Sequence, residues 1–285
     1  ENDWIPDLTI SAEQLRMSKD LTLDQELVAA YRQALRSDLA LYDSTVPGLV
    51  LHSECYRDFD WYLANIFGNL HARQEWELFE QVPVGTDAST RSFVRDRYRK
   101  RGRDYVVKET WLMSPAGQLL NRGITHQSFL VDDNGTGGAT VVDKDREKRA
   151  GRDFQLDTDG LEQLAPLERT VDEEMCRLFS GPGRNYHTDR EEARKLGFPD
   201  IVVQGMLPVC LVSELMTGRF ADGWLAGGKM DLRLVNVLWA GETVRARAAV
   251  SGQAPEAGRT RVSMQAWVEK ADGTKVVVGT ASALV

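Results

Sequence analysis

The stretch from Ser180 to Met216, SGPGRNYHTDREEARKLGFPDIVVQGMLPVCLVSELM, decides how this chain is read. Thr188 and Asp189 are good helix caps, each with a glutamate three residues on (Glu191, Glu192), and Gly197 is a natural stop, so the spacing predicts a short polar helix between them. Phe198-Pro199 then turns the chain into Ile201-Val202-Val203-Gln204-Gly205-Met206 and a second helix, in which Glu214 is the only charge as far as Met216. A helix that is apolar on almost every side has to be buried. Gly205 stands at its start, where the first amides lack intrahelical partners and the positive end of the helix dipole points outward. One titratable side chain, His187, therefore lies close to a helix mouth suited to an oxyanion.

The rest of the composition narrows the classes. At 285 residues, with 42% apolar and 27% charged, the chain is long enough for one large domain or two ordinary ones. No apolar run reaches the roughly 20 residues that span a membrane, and Glu-Asn-Asp-Trp at the start has no signal-peptide pattern. A cytoplasmic protein without a membrane partner is expected. A net charge of -8 argues against nucleic acid. Cys55, Cys176 and Cys210 are odd in number and set among apolar neighbours, as free thiols are, and His52, His71, His126 and His187 lack metal-ligand spacing, so no metal is expected.

The chain also repeats itself. Val46-Pro47-Gly-Leu-Val-Leu-His-Ser parallels Phe198-Pro199-Asp-Ile-Val-Val-Gln-Gly, and Gly85, Trp111, Gly117 and Gly123 each recur 156 positions later as Gly241, Trp267, Gly273 and Gly279. Two copies of one module follow. In the first copy, residues 24–42 read as helical, a second helix runs from Pro47 to about Ile66, and strands are expected at 76–84, 90–98, 105–113 and 119–131. In the second copy, Val244, Ala246, Ala248 and Val250 alternate with Arg245 and Arg247, and Val262, Met264, Ala266 and Val268 alternate with polar neighbours. That period of two marks half-buried antiparallel strands, with Ala271-Asp272-Gly273 and Ser114-Pro115-Ala116-Gly117 as hairpin turns. The expected class is α+β, an apolar helix wrapped by a curved antiparallel sheet. Asp132 to Gly138 and the charged run Lys144 to Arg152 look like a linker, which puts the boundary near residue 150: an N-terminal module over 1–150 and a C-terminal one over 151–285.

The motif around His187 resembles the MaoC-like, type 2 (R-specific) enoyl-CoA hydratase family of hotdog-fold proteins. Ser180-Gly181, His187, Asp189, Ala193-Arg194, Gly197-Phe198 and Gly205-Met206 match its pattern. Pro182 stands where the family has its catalytic Asp, Arg184 and Asn185 where it has Asn-Pro, and Gln204 where it has the His of H-G-M. The resemblance implies a double hotdog, two tandem modules joined edge to edge, with the catalytic loop in the C-terminal half and a degenerate N-terminal half that widens the acyl tunnel. It also implies an acyl-CoA substrate, with no cofactor beyond that thioester, and leaves a homodimer open.

Hydrating a 2-enoyl thioester needs a base for water, a proton donor at Cα and donors for the thioester oxygen. His187 is the expected acid/base, Asn185 the group that orients water, and the Gly205 and Met206 amides the oxyanion donors. Arg184, Tyr186, Gln204 and Met206 are expected to line the substrate, Arg184 as partner to a carboxylate on a branched or carboxylated acyl group, and Gln204 keeping a hydrogen bond that the family His makes. Arg95, Arg97 and Arg99 are expected to share one strand face suited to coenzyme A phosphates, the plainer alternative being a charged edge strand. His52-Ser53-Glu54 reads as a remnant of a helix mouth. Two rival functions remain: a thioesterase using Glu214 or Asp200, although Glu214 also reads as a partner for Arg219, and a non-catalytic acyl-thioester binding protein.

Overall fold

In the computed structural model, residues 10–11, 14–53, 58–59, 70–100, 103–130 and 154–285 are described. Ten strands form one antiparallel sheet in the order β1-β3-β4-β5-β2-β7-β10-β9-β8-β6. The strands are β1 Arg16–Leu23, β2 Leu70–Leu78, β3 Thr86–Lys100, β4 Arg103–Met113, β5 Leu119–Leu130, β6 Leu167–Thr170, β7 Lys229–Leu234, β8 Thr243–Glu256, β9 Arg259–Lys270 and β10 Lys275–Leu284. The order is a palindrome: each half lays down five strands in the same arrangement, and the halves meet where β2 pairs with β7, from Arg73 opposite Arg233 to Glu77 opposite Lys229. This is the edge-to-edge double hotdog.

The 156-residue repeat is thus a repeat of structure. Gly85 and Gly241 both sit at φ +89° before β3 and β8, and Gly117 and Gly273 hold the left-handed position of matching hairpin turns at φ +82° and +87°. Trp111 donates to Glu109 at 2.6 Å, and Trp267 to Glu269 at 3.0 Å, two residues away in opposite directions. Even the irregularities coincide, with bulges between Val94 and Asp96 in β3 and between Val250 and Gly252 in β8.

The helices are α1 Gln25–Leu35, α2 Glu173–Ser180, α3 Arg190–Lys195, α4 Met206–Phe220 and the one-turn α5 Asp222–Leu225. Every residue of α4 from Met206 to Thr217 is buried, as its composition demands. It lies against β8, β9 and β10, whose inward residues Val244, Ala246, Ala248, Met264, Ala266 and Ala281 are almost fully enclosed. The small alanines leave room for the helix. α1, from the N-terminal half, packs on α2 and α4, and Arg36 at its C-terminus forms an ion pair with Asp172, the N-cap of α2.

Several expectations are corrected. Helix 24–42 breaks at Arg36, which adopts the left-handed conformation at φ 52°, and resumes as a short 3-10 turn over Ala40–Asp43. The strand expected at 76–84 is β2, six residues earlier, because Pro83 cannot donate to a ladder and the chain turns there. β1, β6 and α2 carry no clear sequence signal, and β7 and β10 follow only from the repeat and from the hairpin turn at Ala271-Asp272-Gly273. Residues 48–53 are turns, and the rest of the helix expected to run to Ile66 lies outside the described residues, as do Cys55, Glu54, Arg101, the linker and the boundary near residue 150. Arg95, Arg97 and Arg99 do not share a face: the bulge sets Arg97 and Arg99 opposite Val106 and Asp104, while Arg95 reaches Glu109 on the other side. No helix among the described residues is long and apolar enough to cross a membrane.

Glu214 is 4% exposed and does not pair with Arg219, which lies over the Phe220 ring. It accepts a hydrogen bond from Tyr42 Oη at 2.7 Å, and burial raises its pKa against the opposing pull of the Ser37 and Tyr42 hydroxyls. Tyr42 belongs to the N-terminal half, so this bond ties the two halves together through the central helix. Because a buried hydrogen bond to a charged group is worth about 1.5–3 kcal/mol, Tyr42→Phe is expected to lower the unfolding free energy by that amount, and Glu214→Gln by less. Denaturant unfolding of both variants checks the order.

Candidate functional site

The loop before α3 is wound tightly around Asn185. Its Oδ1 accepts from the His187 amide at 2.8 Å, its own amide donates to Thr188 Oγ1 at 2.9 Å, and its carbonyl accepts from the amides of Thr188 and Asp189. Thr188 Oγ1 in turn donates to the Gly183 carbonyl at 2.8 Å. Asp189 caps α3 by accepting from Glu191 and Glu192 amides, as its sequence position predicts. Asn185, expected to orient water, therefore spends its oxygen on holding the loop.

That loop aims His187. Its Nδ1 lies 2.7 Å from the Val202 carbonyl. A carbonyl only accepts, so Nδ1 carries the proton, and Nε2 is left with its lone pair and no partner among the described residues. Burial pushes the His187 pKa down to about 4, with the Val202 bond opposing. The imidazole is consequently neutral at physiological pH, with desolvation lowering its basicity below that of an ordinary histidine. Tyr186 covers it, ring centroids 3.9 Å apart, and packs in turn on Phe198. Val202 also donates its amide to the Tyr186 carbonyl at 3.2 Å, so the segment leading to α4 and the His187 loop are stitched together.

α4 begins three residues beyond Val203, with Gly205 as its N-cap. A Cβ on Gly205 would lie 2.4 Å from Leu234 Cδ2 and 3.0 Å from His71 Nδ1. The glycine is required because β7 and β2 press on the helix mouth from that side, so the space above its Cα is filled rather than open to a ligand. The Met206 side chain is fully buried in the core, which corrects its expected place on the substrate and leaves only its amide for that role. Gln204 Oε1 is buried without a hydrogen-bond partner among the described residues.

Arg184 is also misplaced by the sequence reading. Its side chain is 63% exposed and bound to Asp189 at 2.9 Å and Glu191 at 3.2 Å, on the outside of the loop. It braces the start of α3 instead of facing a substrate. Pro182 is exposed. His52, the remnant of the first-copy mouth, is buried and stacked on Phe179 with centroids 4.1 Å apart. Glu214 lies nine residues into α4, roughly 13 Å along its axis from Gly205 at 1.5 Å per residue, and Asp200 is held by Arg190 at 2.9 Å while capping the Ile201 amide. Neither carboxylate is at the mouth.

His71 was the residue that sequence reading missed. It comes from β2 of the other half, reaches the mouth of α4, and is held by Gln74 Oε1 at 3.1 Å from Nε2. Burial, with the nearby Lys108 charge among the smaller causes, pushes its pKa down to about 3. Only the β2–β7 junction, invisible in the sequence, brings it there. Among the described residues no group of His, Cys, Asp and Glu could hold a metal ion. A groove of about 390 Å³ lined by Glu75, Glu77, Arg122, Lys229 and Asp231 contains none of the motif residues.

The sequence matches the family model of the MaoC like domain over residues 158–273. No curated protein sequence matches the chain. Among solved structures, a MaoC-like dehydratase superposes with a TM-score of 0.73 at 15% identity, over 95% of this chain and 97% of that one. The MaoC-like dehydratase of Phytophthora capsici gives 0.70 at 16%, over 97% and 98%. A conserved hypothetical protein of Mycobacterium tuberculosis described as a double hotdog gives 0.63 at 15%, over 97% of each.

Replacing Gly205 by Ala forces Leu234 and His71 away from the helix mouth. Overpacking of this kind costs about 1–3 kcal/mol, so Gly205→Ala is expected to unfold at lower denaturant than the parent, while Gly85→Ala, whose Cβ meets nothing within 4 Å, pays only for its positive φ. Paired denaturation curves measure both.

Proposed function

We propose, from the match of residues 158–273 to the MaoC like domain within a double hotdog, that the protein is a hydratase or dehydratase acting across the 2,3 bond of an enoyl thioester, with acyl-CoA as the substrate class. The observation that carries this reading is the fixed tautomer of His187: Nδ1–H is bound to the carbonyl of Val202, four residues before the start of α4, so Nε2 keeps its lone pair. In the hydration direction, His187 Nε2 takes a proton from water as the oxygen bonds to C3. The electron pair of the double bond moves to the thioester oxygen, where the amides at the start of α4 hold the enolate. C2 then needs one proton, and His187 carries one.

A single imidazole thus balances the reaction. This matters because Pro182 cannot move a proton, and Asn185 and Arg184 are occupied by the loop and by Asp189 and Glu191. A neutral Nε2 also fits the low pKa: a base held mostly protonated at neutral pH would be wasted, and desolvation avoids that. The thioesterase alternative has less support, since Glu214 is bonded to Tyr42 deep along α4 and Asp200 to Arg190.

The test is to incubate the protein with straight and branched 2-enoyl-CoAs, following loss of the conjugated absorbance and release of free thiol together. Loss without thiol is expected, and His187→Ala is expected to lower kcat/KM by about 10²–10⁴-fold. Thiol release would replace this reading with thioester cleavage. The pH profile supplies a second check. The base is active when neutral, and His187 is neutral above about 4, so kcat/KM is expected to stay level from pH 8 down to about 5; a fall centred on the ordinary histidine pKa of about 6.5 would contradict a desolvated base.

A further inference from the structure

We propose that the basic hairpin formed by β3 and β4 is a docking surface for an acidic carrier protein, which presents the acyl thioester to the His187 site. The proposal rests on the hydratase reading and adds to it the form in which the substrate arrives. It starts from the 156-residue repeat. Residues 95–104, RDRYRKRGRD, carry six basic side chains against two aspartates, whereas the equivalent residues 251–260, SGQAPEAGRT, carry one arginine against one glutamate. The pairings establish the equivalence: Tyr98 lies opposite Tyr105 as Ala254 lies opposite Arg261, and Lys100 opposite Arg103 as Glu256 opposite Arg259. A stretch of net charge +4 thus stands in a chain of net charge -8, in one copy and not in the other.

The two hairpins stand at opposite ends of α4. At its start His71 abuts Gly205, and the register runs from His71 to Gln127, on to Val106 and on to Arg97, across β2, β5, β4 and β3. Three strand spacings put Arg97 about 14 Å from His71. Past the other end of α4, a Cβ on Gly223 in α5 would lie 3.5 Å from Arg259 of the β8–β9 hairpin. The basic hairpin is therefore the one on the side of the helix mouth.

Protection of an open strand edge does not require this charge. β1 pairs with β3 only as far as Phe93, and β6 with β8 only as far as Ala246, so both hairpins outrun their outer neighbours and only one is basic. A compact phosphate site does not fit either. Arg95 is bound to Glu109 and Arg99 to Asp104, and these two carboxylates, five residues apart on β4, face opposite ways, so the guanidinium groups do not converge. What the hairpin offers is positive potential spread around a projecting ribbon. At its centre Tyr98 and Tyr105 stack with ring centroids 4.8 Å apart, and Tyr98 is 37% exposed. Exposed aromatic anchors among arginines are the composition of protein interfaces, and a positive surface steers an acidic partner. A thioester on a flexible arm of that partner has the width of three strands to cross before it reaches the helix mouth.

The experiment offers one enoyl group on an acidic acyl carrier protein, on coenzyme A and on pantetheine to the parent, to Lys100→Glu and to the double variant Tyr98→Ala with Lys100→Glu. Both changes install the residues of the equivalent hairpin. At low salt the parent is expected to use the carrier-protein thioester about tenfold better in kcat/KM than the pantetheine one, and the double variant to lose that advantage through KM while CoA and pantetheine substrates stay within about threefold. Lys100→Glu alone should lose part of it. A parent that uses the carrier protein no better than pantetheine, or a double variant that changes nothing, overturns the proposal. Equal losses on CoA and carrier protein with pantetheine spared also overturn it and make the hairpin a phosphate site, as does tighter binding of a single-stranded oligonucleotide than of the carrier protein, which makes it a nucleic-acid site. If no enoyl thioester reacts on any carrier, the hydratase reading fails separately, and calorimetric binding of the saturated acyl carrier protein decides this one: affinity lost in the double variant upholds it, and absent or unchanged binding overturns it. Should the double variant not fold, Lys100→Glu decides by the same readings.

Discussion

A helix with no polar face cannot exist at a protein surface, and the need to enclose α4 organises everything around it. One five-stranded layer wraps its C-terminal-half side through β8, β9 and β10, and α1 and the Tyr42 turn close over it from the N-terminal half. The β2–β7 pairing makes this enclosure possible by fusing two layers into one sheet, so that residues of the first half reach a helix of the second. Leu234 and His71 meeting over Gly205 is the local expression of that junction.

The chemistry depends on the same enclosure. The tautomer of His187 is fixed by the carbonyl of Val202, in the segment that feeds α4, and burial lowers its pKa so that it stays neutral. Its loop owes its shape to Asn185 and Thr188, and its outer side to the ion pairs of Arg184. Arg184 and Asn185, which look catalytic by type, are here the frame that holds the His187 loop. Both halves reach the helix mouth: the second carries His187 and Gly205, the first His71 from β2.

Much of the fold could be read from the chain because its signals are local or periodic. The bare apolar run of Met206 to Met216 is a buried helix on composition alone, Asp189 and Gly197 bound α3, and the 156-residue recurrence of Gly85, Trp111, Gly117 and Gly123 reports two copies, which the palindromic strand order bears out. What failed was what depends on side-chain direction or on distant partners. Arg184 sits in the right loop but points outward; Glu214 meets Tyr42, 172 residues away, instead of Arg219 on its own helix. A bulge after Val94 reversed the faces of Arg97 and Arg99, which alternation alone cannot foresee. The crowding of basic residues from Arg95 to Arg103 was legible in the chain, but only the pairing register shows which end of α4 their hairpin reaches.

The sheet also ends in a particular way. Its outermost strands among the described residues are β1, whose side chains from Arg16 to Asp20 are all exposed and include Arg16, Lys19 and Asp20, and β6, only four residues long with Glu168 and Arg169 at its centre. Open strand edges invite further chains to add on, and charged or very short edges discourage it. In this sheet the charged β1 edge and the four-residue β6 edge, each at the far side from the β2–β7 junction, both oppose extension of the ladder by a further strand.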